Sequence, residues 1–141
     1  MPSLDDVVAA ICRMPLDRYG KDSHVDLVER SGYLDHRREV TVERIYDCLA
    51  NDPALIDAWQ DWCDDNRSTP AWYFRTLGPG EFEVGHFNRS GTTTVRLRFD
   101  DRQRACAEYM LRDLEMLGVW AEHWLRPWSA IRKRLGRWRP R

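Results

Sequence analysis

The feature that most constrains this chain is a run of three strand-like segments followed by one amphipathic helical segment, all within residues 71–118. The segments 71–77, 81–87 and 92–99 are rich in β-branched and aromatic residues, which favour strands. Turn-forming residues rich in Gly separate them, and both connections are short. Short connections join neighbouring antiparallel strands, so the pattern predicts a three-stranded antiparallel β-meander.

The second and third segments alternate apolar with polar or small residues, which predicts a sheet with one buried face and one wet face. The helical segment that follows, 101–117, carries apolar residues at helical spacing: Cys106, Ala107, Met110, Leu114 and Leu117. Asp100 or Asp101 can cap its start, and Gly118 is a plausible C-terminal stop. A sheet and a helix with one apolar face each are expected to pack together.

Residues before the meander predict a layer of helices. Ser3, Ser23 and Thr41 are good N-cap residues for three of them, and Asp52 followed by Pro53 predicts the start of a fourth helix that continues to about residue 66. The predicted fold class is therefore α+β, with N-terminal helices, the meander and a C-terminal helix packed on the sheet. We place a single domain at 1–118 and a basic, Trp-rich helical tail at 119–141.

Charge is distributed unevenly along the chain. The tail has seven basic residues and one acidic residue, whereas residues 1–118 have 15 basic and 22 acidic residues. Two surfaces of opposite sign are expected, and they need not serve the same partner.

The acidic charge is concentrated in and around the fourth helix, because residues 45–66 include six Asp and no Lys or Arg. Its spacing places Ile56, Trp59 and Cys63 on one face and an acidic ridge on another, formed by Asp57, Asp61 and Asp64. Such a ridge is either a solvated helix face or a docking surface for a basic partner.

The tail interleaves Trp with basic residues. Four interpretations are open: its Trp residues pack on the domain, they form a dimer seam, the tail lies on an anionic membrane surface, or the tail binds nucleic acid by stacking and phosphate contacts. The nucleic-acid interpretation uses Trp124, Trp128, Arg132, Lys133, Arg134, Arg137 and Trp138. The oligomeric state is left open.

Sequence motifs for catalysis are missing: there is no P-loop, no Gly-rich dinucleotide turn and no G-x-S-x-G elbow. The His and Cys spacings match no zinc motif, so we expect no enzyme activity, no metal and no cofactor. The four Cys lie in apolar helical contexts and are expected to be buried thiols rather than disulfides or ligands. No apolar run is long enough for a membrane span and no signal-peptide pattern is present, so a cytoplasmic location is expected.

Taken in order, several segments resemble small immunity proteins of bacterial polymorphic toxin systems, over about residues 22–118. They are Ser31-Gly32-Tyr33-Leu34, the acidic Trp-containing helix, Trp72-Tyr73-Phe74, Glu83-Val84-Gly85-His86-Phe87, Phe99-Asp100-Asp101 and Ala105-Cys106-Ala107-Glu108-Tyr109.

This resemblance implies a cytosolic antidote that binds a cognate toxin domain, often a nuclease, and blocks its active site without catalysis. Such proteins commonly present acidic residues to a basic toxin. The corresponding candidates here are Asp57, Asp61, Asp64 and Asp65, with an exposed Trp62 as the anchor of the interface.

Overall fold

The computed structural model describes residues 2–17, 23–65 and 70–125, together with 127, 131 and 134. Within them the chain forms five α-helices and one sheet of three strands, as the sequence predicts. The elements are α1 (Leu4–Arg13), α2 (His24–Ser31), a 3₁₀ turn (Tyr33–Asp35), α3 (Val42–Asn51), α4 (Ala54–Asp64), β1 (Ala71–Gly78), β2 (Glu81–Phe87), β3 (Thr93–Phe99), α5 (Arg102–Trp120) and a π segment (Ala121–Leu125).

Side-chain caps begin most of the helices. The Ser3 and Ser23 hydroxyls accept backbone N–H groups three residues ahead in complete capping boxes, and Thr41 and Asp101 cap α3 and α5. The predicted Asp52 cap is wrong, because α4 begins with no side-chain cap. Its first turn instead closes through the Asp52 and Pro53 carbonyls, which accept the N–H groups of residues 55 and 56.

The sheet is an antiparallel meander in the order β1-β2-β3, so β2 is the central strand. Its buried face carries Phe74 and Val84, and the opposite face carries Tyr73, Glu83 and Arg98. The predicted alternation is confirmed, but part of the wet face is covered, and Tyr73 and Glu83 are buried there. Glu83 is fully buried there, because the side chains of its neighbours on β1 and β3 cover it.

α5 lies between the sheet and the helical layer and forms the centre of the molecule. Its Tyr109 ring contacts Phe74 of the sheet on one side, at a centroid distance of 5.0 Å, and Trp59 of α4 on the other, at 6.4 Å. The Trp59 indole Nε1 in turn donates to the Cys12 carbonyl of α1, at 3.0 Å. The sequence predicts one apolar stripe on α5, whereas the structure buries α5 against both layers.

Gly118 does not end α5, which continues to Trp120 and then into the π segment. A Cβ atom at Gly118 would lie 3.2 Å from Tyr33 Cε1 and 3.3 Å from Leu34 Cδ2. The glycine is therefore explained by close packing of α5 on the 3₁₀ turn and not by a helix stop. α5 also crosses the boundary that the sequence places at residue 118.

The two outer edges of the sheet have different surroundings. The edge of β1 is covered by α4, since the Phe74 N–H donates to Cys63 Sγ at 3.4 Å and Gln60 Nε2 donates to the Phe74 carbonyl at 3.0 Å. Coverage by a helix satisfies a strand edge that could otherwise pair with another chain. α4 is thereby fixed between β1 and α1, which orients its acidic residues toward solvent.

Candidate functional site

The exposed side of α4 is the strongest candidate for a functional surface. Its apolar residues face inward, and all four predicted acidic residues lie on the molecular surface: Asp57, Asp61, Asp64 and Asp65. The structure does not gather them into one patch, because their surroundings differ.

Asp57 is neutralised within the free protein. Its Oδ1 accepts a hydrogen bond of 2.8 Å from Arg102 Nη1, at the start of α5, while 75% of the Asp57 side chain stays exposed. Exposed pairs of this kind contribute little stability. A basic partner would have to compete with Arg102 for this carboxylate, which makes Asp57 the weaker docking residue.

Asp61 and Asp65 line a groove of about 300 Å³ between α4 and the end of α1. The other lining residues are Pro15, Leu16, Ala58 and Trp62, and the Leu16 side chain is 51% exposed. This acidic groove combines an apolar floor with two carboxylates. A long basic side chain can lay its methylene stem on such a floor and place its charged end against the carboxylates.

Asp64 lies nearer the sheet. Its Oδ1 accepts from Gln60 Nε2 at 3.1 Å, and the same amide donates to the Phe74 carbonyl of β1. This carboxylate therefore helps to hold the amide that covers the β1 edge. Asp64 does not line the acidic groove.

The prediction of an exposed Trp62 is wrong. Trp62 is 3% exposed, its ring stacks on His24 at 3.6 Å, and its Nε1 donates to Asp113 Oδ2 at 3.0 Å. The burial follows from helical spacing, because Trp62 is three residues after the buried Trp59 and shares its face. Trp62 forms a wall of the acidic groove instead of projecting from it as an anchor.

Asp113 was not predicted from the sequence and is the most unusual polar residue behind the groove. It is 1% exposed in α5, and burial raises the pKa of its carboxyl to about 6, although the Trp62 hydrogen bond favours the ionised form. Its Oδ1 has no hydrogen-bond partner among the described residues. The partner that explains its position, Trp62, is 51 residues away in the chain, so no local pattern reveals it.

Most residues of the predicted nucleic-acid site lie outside the described part of the chain, namely Trp128, Arg132, Lys133, Arg137, Trp138 and the side chain of Trp124. Arg134 is described and exposed. At the start of the segment, Val119 and Trp120 are also exposed, whereas Ala121 is buried and Arg37 Nη1 pairs with Glu122 at 2.9 Å. The first turn beyond Trp120 is thus attached to the helical layer.

The prediction that the four Cys side chains are buried is confirmed at three positions. Cys12, Cys63 and Cys106 are buried and Cys48 is half-buried. Burial raises the pKa of the Cys63 thiol to about 11 and raises the pKa values of Cys12 and Cys106 further. Such thiols are protonated at neutral pH and react slowly.

Among the described ranges, no three His, Cys, Asp or Glu side chains converge where they could hold a metal ion. In the same ranges, no helix is long and apolar enough to cross a membrane. The chain matches no protein-family model, no curated protein and no solved structure.

Proposed function

We propose that this protein is a non-catalytic, toxin-neutralising immunity protein of a bacterial polymorphic toxin system. In this proposal it binds a cognate toxin domain through the acidic groove and blocks that domain stoichiometrically. The observation that carries the proposal is the pairing of Asp61 and Asp65 with the exposed Leu16 in one open groove. The toxin class comes from the sequence resemblance.

The composition of the groove supports recognition of a basic protein surface. Apolar contact area supplies affinity, while carboxylates at the rim favour a basic partner, speed its approach and disfavour acidic surfaces. A nuclease domain is a suitable partner because its substrate-binding surface is basic. Covering that surface would inhibit the enzyme without any chemistry by the antidote.

Capture from the native cell tests the proposal. The full chain is used as bait in lysates with and without added nuclease, and retained proteins are identified by mass spectrometry. We expect one stoichiometric partner in both lysates, and its loss when Asp61 and Asp65 are replaced together by Lys. The matched control replaces Asp47 and Asp52, which are exposed and outside the groove, by Lys.

Two further measurements complete the test. Circular dichroism establishes that both variants are folded. Expression of the captured partner alone should be toxic, and co-expression of the wild-type protein should remove that toxicity. Equal capture by the groove variant and the control would refute the groove as the binding site. A captured partner without toxicity would refute the immunity function.

The alternative is a nucleic-acid-associated accessory protein that acts through the basic, Trp-rich tail. The exposure of Val119 and Trp120, where the tail begins, favours it, because exposed aromatic rings can stack on bases. The nuclease-treated lysate distinguishes the two functions. If the captured partners disappear on nuclease treatment, and also when Arg132, Lys133 and Arg134 are replaced by Glu, the function belongs to the tail.

A further inference from the structure

The outer edge of β3 is open in the described part of the chain. β3 hydrogen-bonds to β2 on one side only, and no described residue outside the β2–β3 hairpin hydrogen-bonds to its backbone. This contrasts with the β1 edge, which Gln60 and Cys63 of α4 cover. An uncovered edge presents backbone donors and acceptors that can pair with one more strand.

The side chains of β3 alternate between exposed arginines and half-buried apolar residues. Arg96 and Arg98 are exposed on the wet face of the sheet, while Leu97 and Phe99 are half-buried on the face that packs against the core. A strand added at this edge would place its own alternate residues beside these two rows. The matching strand carries acidic residues on one face and apolar residues on the other.

Arg96 and Arg98 are engaged only in part within the protein, through their attraction to the buried Glu83. Arg75 holds Glu83 through two contacts to Oε2, at 2.7 and 2.9 Å, whereas Arg98 Nε is 3.6 Å from Oε1. That buried Oε1 accepts no hydrogen bond from any described residue. Arg96 makes no hydrogen bond or ion pair with a described residue. Both guanidinium groups therefore keep donors for an outside carboxylate.

We infer that the open edge of β3 binds an extended acidic segment of a protein partner by β-strand addition, with its carboxylates against Arg96 and Arg98. A fourth strand would supply backbone hydrogen bonds, and the two arginines would select for acidic residues. This inference does not depend on the immunity function, because β3 and the α4-covered β1 are at opposite edges of the sheet.

Charge disfavours two other occupants of the β3 edge, namely a second copy of this chain and the chain's own tail. Two copies of this chain paired edge to edge would bring the arginine rows of both β3 strands onto the same face, where like charges repel. The chain's own tail has seven basic residues and the single acidic residue Glu122, which already pairs with Arg37. An acidic segment from another protein is the occupant that complements this edge.

Peptide binding measured by fluorescence anisotropy tests the inference. The probe is a labelled synthetic peptide in which Glu alternates with Val, and a peptide with Lys in place of every Glu is its counterpart. We expect the full chain to bind the acidic peptide and not the basic one at low ionic strength. Arg96→Glu with Arg98→Glu should weaken binding about tenfold or more, since two favourable cross-strand pairs become repulsive.

Three controls separate strand addition from general charge attraction. Arg13→Glu with Arg44→Glu makes the same change in net charge at exposed positions of α1 and α3 and should leave the affinity unchanged. An acidic peptide methylated on alternate backbone nitrogens cannot donate to the edge and should not bind. The groove variant, Asp61→Lys with Asp65→Lys, should bind the peptide as the wild type does.

Any of four results would overturn the inference. They are no binding of the acidic peptide, equal binding of the basic peptide, equal binding of the N-methylated peptide, or equal losses in the β3 and control variants. A dimer in sedimentation that Arg96→Glu stabilises or disrupts would also overturn it, because a second copy would then occupy the edge.

Discussion

The Tyr73 ring crosses β2 directly over Gly85, so that its hydroxyl reaches the buried Glu83 at 3.1 Å. A Cβ atom at Gly85 would overlap the Tyr73 ring, which is held in place by stacking on Phe87 at 4.9 Å. A glycine inside a strand often marks such a close approach. The sequence predicts the strand but not this contact.

Gly85→Ala is therefore expected to lower the free energy of unfolding by about 1–3 kcal/mol, the usual cost of overpacking. Chemical denaturation followed by tryptophan fluorescence measures the change. Gly78→Ala is the matched control, since its Cβ would meet nothing closer than 3.9 Å and its backbone is not in the left-handed region. A loss of the same size in both variants would contradict the role of the Tyr73 contact.

Asp113 makes stability depend on pH. Its pKa is raised to about 6 from an ordinary 3.8, so the folded protein holds this proton more tightly than the unfolded chain does. The free-energy cost of burying Asp113 is therefore smallest at low pH, where its carboxyl is protonated in both the folded and the unfolded state. The cost grows as pH rises from about 4 to about 6 and then levels off, at no more than about 3 kcal/mol.

We predict that Asp113→Asn, which keeps an oxygen for Trp62 Nε1, becomes more stable relative to the wild type as pH rises from about 4 to about 7. Denaturant unfolding at a series of pH values gives this difference directly. Asp47→Asn, on the exposed side of α3, supplies the comparison for removal of a surface carboxyl. A difference that does not change with pH would show that Asp113 is ionised at little cost.

At the scale of elements, the strand boundaries and four of the helix starts are predictable from the sequence, the fourth being the Asp101 cap of α5. They rest on local chemistry, namely alternation, turn residues and Ser, Thr or Asp caps, and these act over a few residues. The role of α5 depends on contacts far apart in the chain. One apolar stripe is visible in the sequence, but Tyr109 lies outside it and contacts Phe74 of the sheet, and Gly118 lets α5 pack closely on the 3₁₀ turn.

The packing of α5 on the 3₁₀ turn can be tested at Gly118. Gly118→Leu should destabilise the protein by about 1–3 kcal/mol, because its side chain must displace Tyr33 and Leu34. Val119→Leu, one position later and exposed, should be nearly neutral. Thermal unfolding followed by circular dichroism compares the two variants. A neutral Gly118→Leu would contradict the close packing of α5 on the 3₁₀ turn.

At the scale of the whole molecule, the sequence correctly indicates an α+β fold and an acidic helix on the surface. It does not indicate which acidic residues are paired within the protein, because Arg102, which forms an ion pair with Asp57, belongs to another element. The groove that joins Asp61 and Asp65 to Leu16 likewise needs two helices that are distant in the chain. Such combinations are fixed by tertiary packing and not by spacing within one segment.

The central position of α5 also has a consequence for protein synthesis. The sheet and the helical layer both bury their apolar faces against a helix that is translated after them. While residues 102–120 are still inside the ribosome, the side chains of Phe74, Val84 and Trp59 lack the helix that covers them in the folded protein. We therefore expect the nascent chain to be most prone to aggregation before α5 emerges.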